Sequence, residues 1–294
     1  MKYTFAKNRD IVGILAAVAS ALLMGTIGVF SKSLGATPEV ITFCRLFFGA
    51  VFMGLFLLLI NRINLLKKWP TWPVLLTGLM LAGFIIFYVQ AMNMTTMANA
   101  IMLVYLAPVT ASVFAHFFLG ERMGMISVIL ICCALFGFAM MMEFRIDLNG
   151  TATHAGGVAF GLLSMIAYAA FILLNRTISK EVHVYTRAFY QMLAGSCVVL
   201  PLALFELPSV PTVHWFWLAC VGFCPGFLAI LFAVSALSRL PAAVFGTLAY
   251  VEPVAVILFG WLLFNESLGP FQAGGCLIII ISGIAQTCLC GKKQ

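Results

Sequence analysis

Charge is scarce in this chain. Only 9% of its 294 residues are Asp, Glu, Lys or Arg, against about 25% in ordinary soluble domains. With 64% of the residues hydrophobic, that scarcity excludes a soluble fold and makes lipid the solvent for most of the chain. Catalytic patterns are missing too. There is no HExxH, GxGD or GxSG, and no P-loop, so neither an intramembrane hydrolase nor an ATPase is indicated. Long loops are absent, which leaves no soluble domain and no docking segment of the kind a scaffold needs. No cysteine pairs with histidine at metal-ligand spacing. The nine cysteines lie almost all in apolar runs, where they pack as small hydrophobes. No metal or cofactor is expected. The net charge of +7 does not point to nucleic acid, because the basic residues sit in short segments between apolar runs rather than among soluble aromatics.

What is present is a series of apolar runs. They span Ile11–Phe30, Val40–Ile60, Thr71–Met92, Met97–Phe118, Gly124–Met142, Ala155–Asn175, Val182–Leu204, His214–Ala236, Pro241–Leu263 and Gly269–Cys290. Each has about 20 residues, the length a helix needs to cross the hydrocarbon. Ile11–Phe30 is too long for a signal-peptide core and reads as a retained span. Trp69, Trp72, Trp215, Trp217 and Trp261 fall at run ends, where an amphipathic ring sits at the lipid interface. Placing both termini in the cytoplasm puts twelve lysines and arginines inside and two, Lys32 and Arg145, outside, with Arg45 and Arg187 within runs. That bias predicts a multi-pass protein of the inner (plasma) membrane with both ends cytoplasmic.

The runs repeat. At an offset of 145 residues, Ala98, Leu103, Tyr105, Pro108, Val109, Glu121 and Gly124 meet Ala243, Leu248, Tyr250, Pro253, Val254, Glu266 and Gly269. Gly13 and Ser20 recur as Gly157 and Ser164, and Lys32-Ser33 as Arg176-Thr177. Five runs per copy is an odd number, so the second copy enters the membrane from the opposite side. The expected fold is an all-α membrane protein of ten transmembrane helices in two inverted five-helix repeats, residues 1–148 and 149–294.

The twin segments Pro108-Val109 to Leu119-Gly120-Glu121 and Glu252-Pro253-Val254 to Asn265-Glu266, followed by glycine-rich runs, resemble the EamA-type family of the drug/metabolite transporter superfamily. Asn265 stands where that family carries a glycine. The resemblance implies two repeats around a central cavity that move a small metabolite or drug. Export of amino acids and uptake of a metabolite are both known in the family, with proton coupling or facilitated exchange. Its partners are then the bilayer, a small-molecule substrate and, where coupling applies, a proton; the assembly is a monomer or a homodimer.

Glu252 lies near the middle of its run, where an acid costs about 2.5–3.5 kcal/mol to insert. It either recognises an ammonium or a proton, or it satisfies the backbone freed by Pro253. Arg45 either snorkels to the outer interface or holds a substrate carboxylate. Glu121 and Glu266 are expected to cap the fifth and tenth helices. Pro108 and Pro253 should bend the fourth and ninth helices. Tyr105 and Tyr250, one turn earlier, line the cavity or pack. Gln90, Asn99, Tyr168 and Gln191 are further polar candidates, each also suited to plain interhelical bonding. His116 has no companions for a metal, and Gly25-Thr26-Ile27-Gly28 allows close helix approach.

Overall fold

The computed structural model describes all residues except 1, 35, 68–69, 122, 145–151, 180, 266 and 291–294. The expected roles of Glu266, Arg122 and Arg145 therefore fall outside the described residues. The described residues form helices α1 (Lys2–Leu34), α2 (Pro38–Leu59), α3 (Trp72–Met94), α4 (Met97–Val104), α5 (Ala107–Phe118), α6 (Met125–Met141), α7 (Ala152–Thr177), α8 (Val184–Ala203), α9 (His214–Val221), α10 (Ala229–Leu237), α11 (Ala242–Ala249), α12 (Val251–Phe264) and α13 (Pro270–Cys290). No strand occurs among the described residues.

Among the described residues, eight helical stretches are long and apolar enough to cross a membrane. Two further helices fall short of that standard. α6 is apolar but has 17 residues. α8 has the length but carries Arg187 and Gln191. Large apolar side chains such as Phe117 and Phe118 point outward, 76% and 77% exposed, as lipid-facing positions require.

Local sequence sets the helix ends. Pro38 follows Thr37 at the start of α2, and Pro73 lies in the first turn of α3, where a missing N–H costs nothing. The Thr96 hydroxyl accepts from the Asn99 amide at 3.2 Å and caps α4. α4 and α5 are separate segments broken just before Pro108, and α11 and α12 meet at Tyr250, just before Pro253. The expected eighth run is not one α-helix. A π-helical turn, Gly222–Leu228 around Pro225, joins α9 to α10. Such turns absorb one extra residue and often mark functional positions. Gly120 and Asn265, 145 residues apart in sequence, both take left-handed backbone, with φ of 65° and 52°. Asparagine tolerates that conformation better than other side-chain-bearing residues, so the substitution keeps the turn.

The two sequence halves interlock. α3 packs on α7 and α1 on α10; α2 packs on α8 and α6 on α13. The recurring serines make matching bonds. Ser20 of α1 donates to the Ala229 carbonyl of α10 at 2.8 Å. Ser164 of α7 donates to the Phe84 carbonyl of α3 at 2.7 Å. Glycines bring backbones together where the pairs cross. A Cβ on Gly275 of α13 would stand 2.4 Å from the Gly137 carbonyl of α6 and 2.7 Å from the Met141 amide. Neither backbone atom can yield without moving a helix.

Gly275→Ala is therefore expected to destabilise the protein by ~1–3 kcal/mol, read as a lowered melting midpoint in detergent. Gly54→Ala, whose Cβ would meet only the Phe189 ring at 3.6 Å, should melt like the native protein.

Candidate functional site

Arg45 of α2 and Glu252 of α12 come together inside the bundle. Each feels the other's charge, and no direct ion pair joins them. Arg45 is 8% exposed, so it does not snorkel to the interface. Its Nη2 donates to the Met24 sulfur of α1 at 3.2 Å, while its Nε is buried without a partner. A thioether is a weak acceptor. A buried guanidinium held only by a thioether has most of its hydrogen-bonding capacity to spare.

Tyrosines surround the acid. Tyr105 is close enough to feel the charge of Glu252. Tyr88 and Tyr168 lie within its electrostatic reach. Tyr168 stacks on Phe84, with ring centroids 4.9 Å apart, and Tyr105 packs on Phe138 at 4.5 Å. Those ring contacts fix the side chains' directions. Together the residues form one carboxylate, one guanidinium and aromatic faces able to hold a cation. Among the described residues no group of acids, histidines and cysteines is placed to hold a metal.

The remaining candidates fall elsewhere. Tyr250 is fully buried; its hydroxyl donates to the Tyr105 carbonyl at 2.5 Å. It braces the break between α4 and α5 rather than opening onto a cavity. Gln191 is fully buried and donates to Asn175 at 2.8 Å, tying α8 to α7. Asn99 bonds Thr95 and His154 near the helix ends. Gln90 lines a small cavity with Glu39, Thr42 and Val199. On α2, Thr42 of this cavity sits one turn from Arg45, on the same side of the helix. Tyr88 and Met24 carried no sequence signal: one is a tyrosine in an apolar run, the other a methionine that reads as core.

Glu121 does not cap α6, as was expected of it; the residue at that position, Gly124, has no side-chain cap. Its carboxylate instead pairs with Arg176 at the end of α7, whose Nε donates at 2.7 Å. Its second oxygen accepts from the Ala242 amide, 2.8 Å away, at the start of α11. Arg176 Nη1 completes the clamp on the Leu237 carbonyl of α10 at 3.0 Å. The left-handed Gly120 turns Glu121 away from α6, and an exposed helix N-terminus favours its charge. His116 serves the same turn, with Nδ1 lying 3.1 Å from the Glu121 carbonyl. One carboxylate of the first sequence half thus ties together α7 and α11 of the second, and its partner Arg176 adds α10. The clamp lies at the C-terminal end of α7, where Arg187 bonds the carbonyls of Ile178 and Ser179. That is the end of the bundle opposite the Glu39 cavity.

Glu121→Gln keeps an acceptor for Ala242 and removes the ion pair. Hydrogen–deuterium exchange of the α10–α11 turn should rise about tenfold, an increment of about 1.4 kcal/mol. Reversing the pair, with Glu121→Arg and Arg176→Glu together, should restore part of the protection against Arg176→Glu alone. Unchanged exchange in Glu121→Gln would show that the clamp carries no stability.

The EamA-like transporter family model matches the chain twice, over residues 11–143 and 155–285. An uncharacterized transporter of Archaeoglobus fulgidus is 27% identical over 270 residues, covering 91% of this chain and 93% of that one. The pseudopaline exporter CntI of Pseudomonas aeruginosa is 25% identical over 277 residues, covering 93% and 95%. The aromatic amino acid exporter YddG of Ancylobacter novellus is 28% identical over 247 residues, covering 79% and 82%. A crystal structure covering 94% of this chain and 98% of its own superposes with a TM-score of 0.82 at 21% identity, which shows a shared fold. Two matches of one family model along nearly the whole length make this chain a member of the EamA-like transporter family, within the drug/metabolite transporters.

Proposed function

We infer that the protein is an exporter of amino-acid-like zwitterions that works by alternating access. The observation that carries this reading is that Arg45 and Glu252 lie within reach of each other's charge inside the bundle, with the guanidinium Nε left without a partner. A substrate carboxylate suits Arg45 and a substrate ammonium suits Glu252 and the tyrosine faces. Two relatives are named exporters, one of them of aromatic amino acids. Loss of the ammonium leaves Glu252 free to take a proton, which couples export to the proton gradient.

The architecture in this reading is ten spans in two inverted five-helix repeats, 1–148 and 149–294, with both termini cytoplasmic. α6 and α8 supply the two spans beyond the eight apolar ones. The matching Ser20 and Ser164 bonds support the relation, since exchanging the halves carries one bond onto the other. Tyr105 and Tyr250 support it as well. They are repeat equivalents whose rings lie 5.8 Å apart, and two points related by a two-fold axis touch only beside that axis. Rocking of the repeats about it opens the site to each side in turn. The Glu121–Arg176 clamp holds one end of the bundle shut, and the Glu39 cavity is the approach from the other.

Flux of L-phenylalanine in reconstituted vesicles tests the reading, with 3-phenylpropionate and phenethylamine as competitors that carry one charge each. Arg45→Gln should raise KM and abolish competition by 3-phenylpropionate alone. Glu252→Gln should abolish competition by phenethylamine and flatten the pH dependence of flux. Equal loss of both competitors in both variants would leave only a folding role for the pair. Absence of L-phenylalanine flux in the native protein would remove the amino-acid assignment.

A further inference from the structure

Arg45 and Glu252 sit on α2 and α12; α1 packs on α12 and reaches Arg45 of α2 through a side chain. The contact is made by two adjacent residues. Met24 gives Arg45 its hydrogen-bond acceptor, the sulfur 3.2 Å from Nη2. Gly25 faces the backbone of the acid. A Cβ there would stand 2.7 Å from the Ala255 Cβ and 3.2 Å from the Glu252 carbonyl. A third contact fixes Arg45 from behind. A Cβ on Gly226, within the π-helical turn, would stand 2.3 Å from the Arg45 carbonyl. The main chain of each charged residue is therefore pressed by a glycine of another helix, and the guanidinium is held by a sulfur.

We propose that Met24 and Gly25 of α1 are positioning residues that set the spacing between the two charges of the site. Gly25 lets α1 lie on α12 at Glu252, so the depth of the carboxylate follows the path of α1. Met24 keeps the guanidinium drawn toward α1 and off Glu252. Attraction between opposite charges in a poorly solvated interior pulls Arg45 toward Glu252, and a direct pair would fill the space the substrate needs. Sulfur suits the task because it occupies an N–H group without competing strongly against a carboxylate. A stronger acceptor would hold the guanidinium back, and an apolar side chain of equal size would release it onto Glu252. The inference rests on Arg45 and Glu252 being the substrate's two anchors, and it concerns how they are kept apart.

Covalent labelling tests the spacing without a substrate. Dicyclohexylcarbodiimide marks Glu252 and phenylglyoxal marks Arg45 in the purified full-length protein, with modification at each residue read by peptide mass spectrometry. Met24→Leu should slow labelling of both residues at least fivefold, because they then protect one another. Gly25→Ala should change Glu252 labelling at least threefold, and the double variant Gly25→Ala with Ala255→Gly should return it to the native rate, since the second change removes the nearer clash. Native labelling rates in Met24→Leu, or failure of Ala255→Gly to rescue Gly25→Ala, would overturn the proposal. The flux assay separates the two readings. Labelling that shifts as stated without any L-phenylalanine flux removes the amino-acid assignment and keeps the spacing role. Normal flux with native labelling in Met24→Leu does the reverse. Where labelling supports the role and flux is present, Met24→Leu should raise KM about tenfold with Vmax within twofold.

Discussion

Lipid offers no hydrogen bonds, so a chain dissolved in it must satisfy its polar groups internally. The interior follows that constraint closely. Ser20 and Ser164 spend their hydroxyls on carbonyls of neighbouring helices. Arg187 wraps the end of α7 and bonds its last carbonyls. Glu121 and Arg176 together satisfy a helix start and a helix end. Among the described residues Thr37, Gln191 and Gln286 each leave one buried oxygen unmatched, and Arg45 is the charged group that does so, with a sulfur for its partner. Natural proteins tend to break such rules where they do chemistry or bind. The site proposed above is built around that charged group.

Close approach between backbones supplies the second constraint. Without a hydrophobic drive between helices in lipid, association depends on packing and interhelical bonds. Glycines at the crossings of α6 with α13, α2 with the π-helical turn, and α1 with α12 let main chains meet. The same contacts that hold the bundle together also touch the two charged residues. Packing and the proposed site therefore share residues, with Gly25 and Gly226 against the main chains of Glu252 and Arg45.

Much of this was legible in the sequence. Ile11–Phe30 shows as a single apolar run and recurs with the same bounds among the membrane-crossing stretches. The doubled motif around Pro108 and Pro253 pointed to the family. Arg45 and Glu252 could be singled out because charge is costly in an apolar run, but their meeting could not be read. That meeting depends on α1, α2 and α12, which lie far apart in the chain and carry no shared pattern. Glu121 was misread because local spacing suggests the nearest helix start; the left-handed Gly120 sends the side chain to a remote one. The π-helical turn was hidden because Pro225 and its glycines interrupt no apolar run. Met24 stayed unseen because a sulfur that accepts from a guanidinium looks, in sequence, like any core methionine.

The π-helical turn has a consequence for energetics. Its counterpart in the first half, α3, runs as an unbroken α-helix from Trp72 to Met94, and the residue matching Glu252 is Ala107. Two perfect copies, swapped by a two-fold rotation, would give degenerate end states with equal occupancy at rest. The copies differ in that helix and in the charges of Arg45, Arg187 and Glu252, so in the alternating-access reading proposed above the degeneracy is lifted. On that reading the unloaded molecule has a built-in resting side, fixed by covalent sequence before any gradient acts on it.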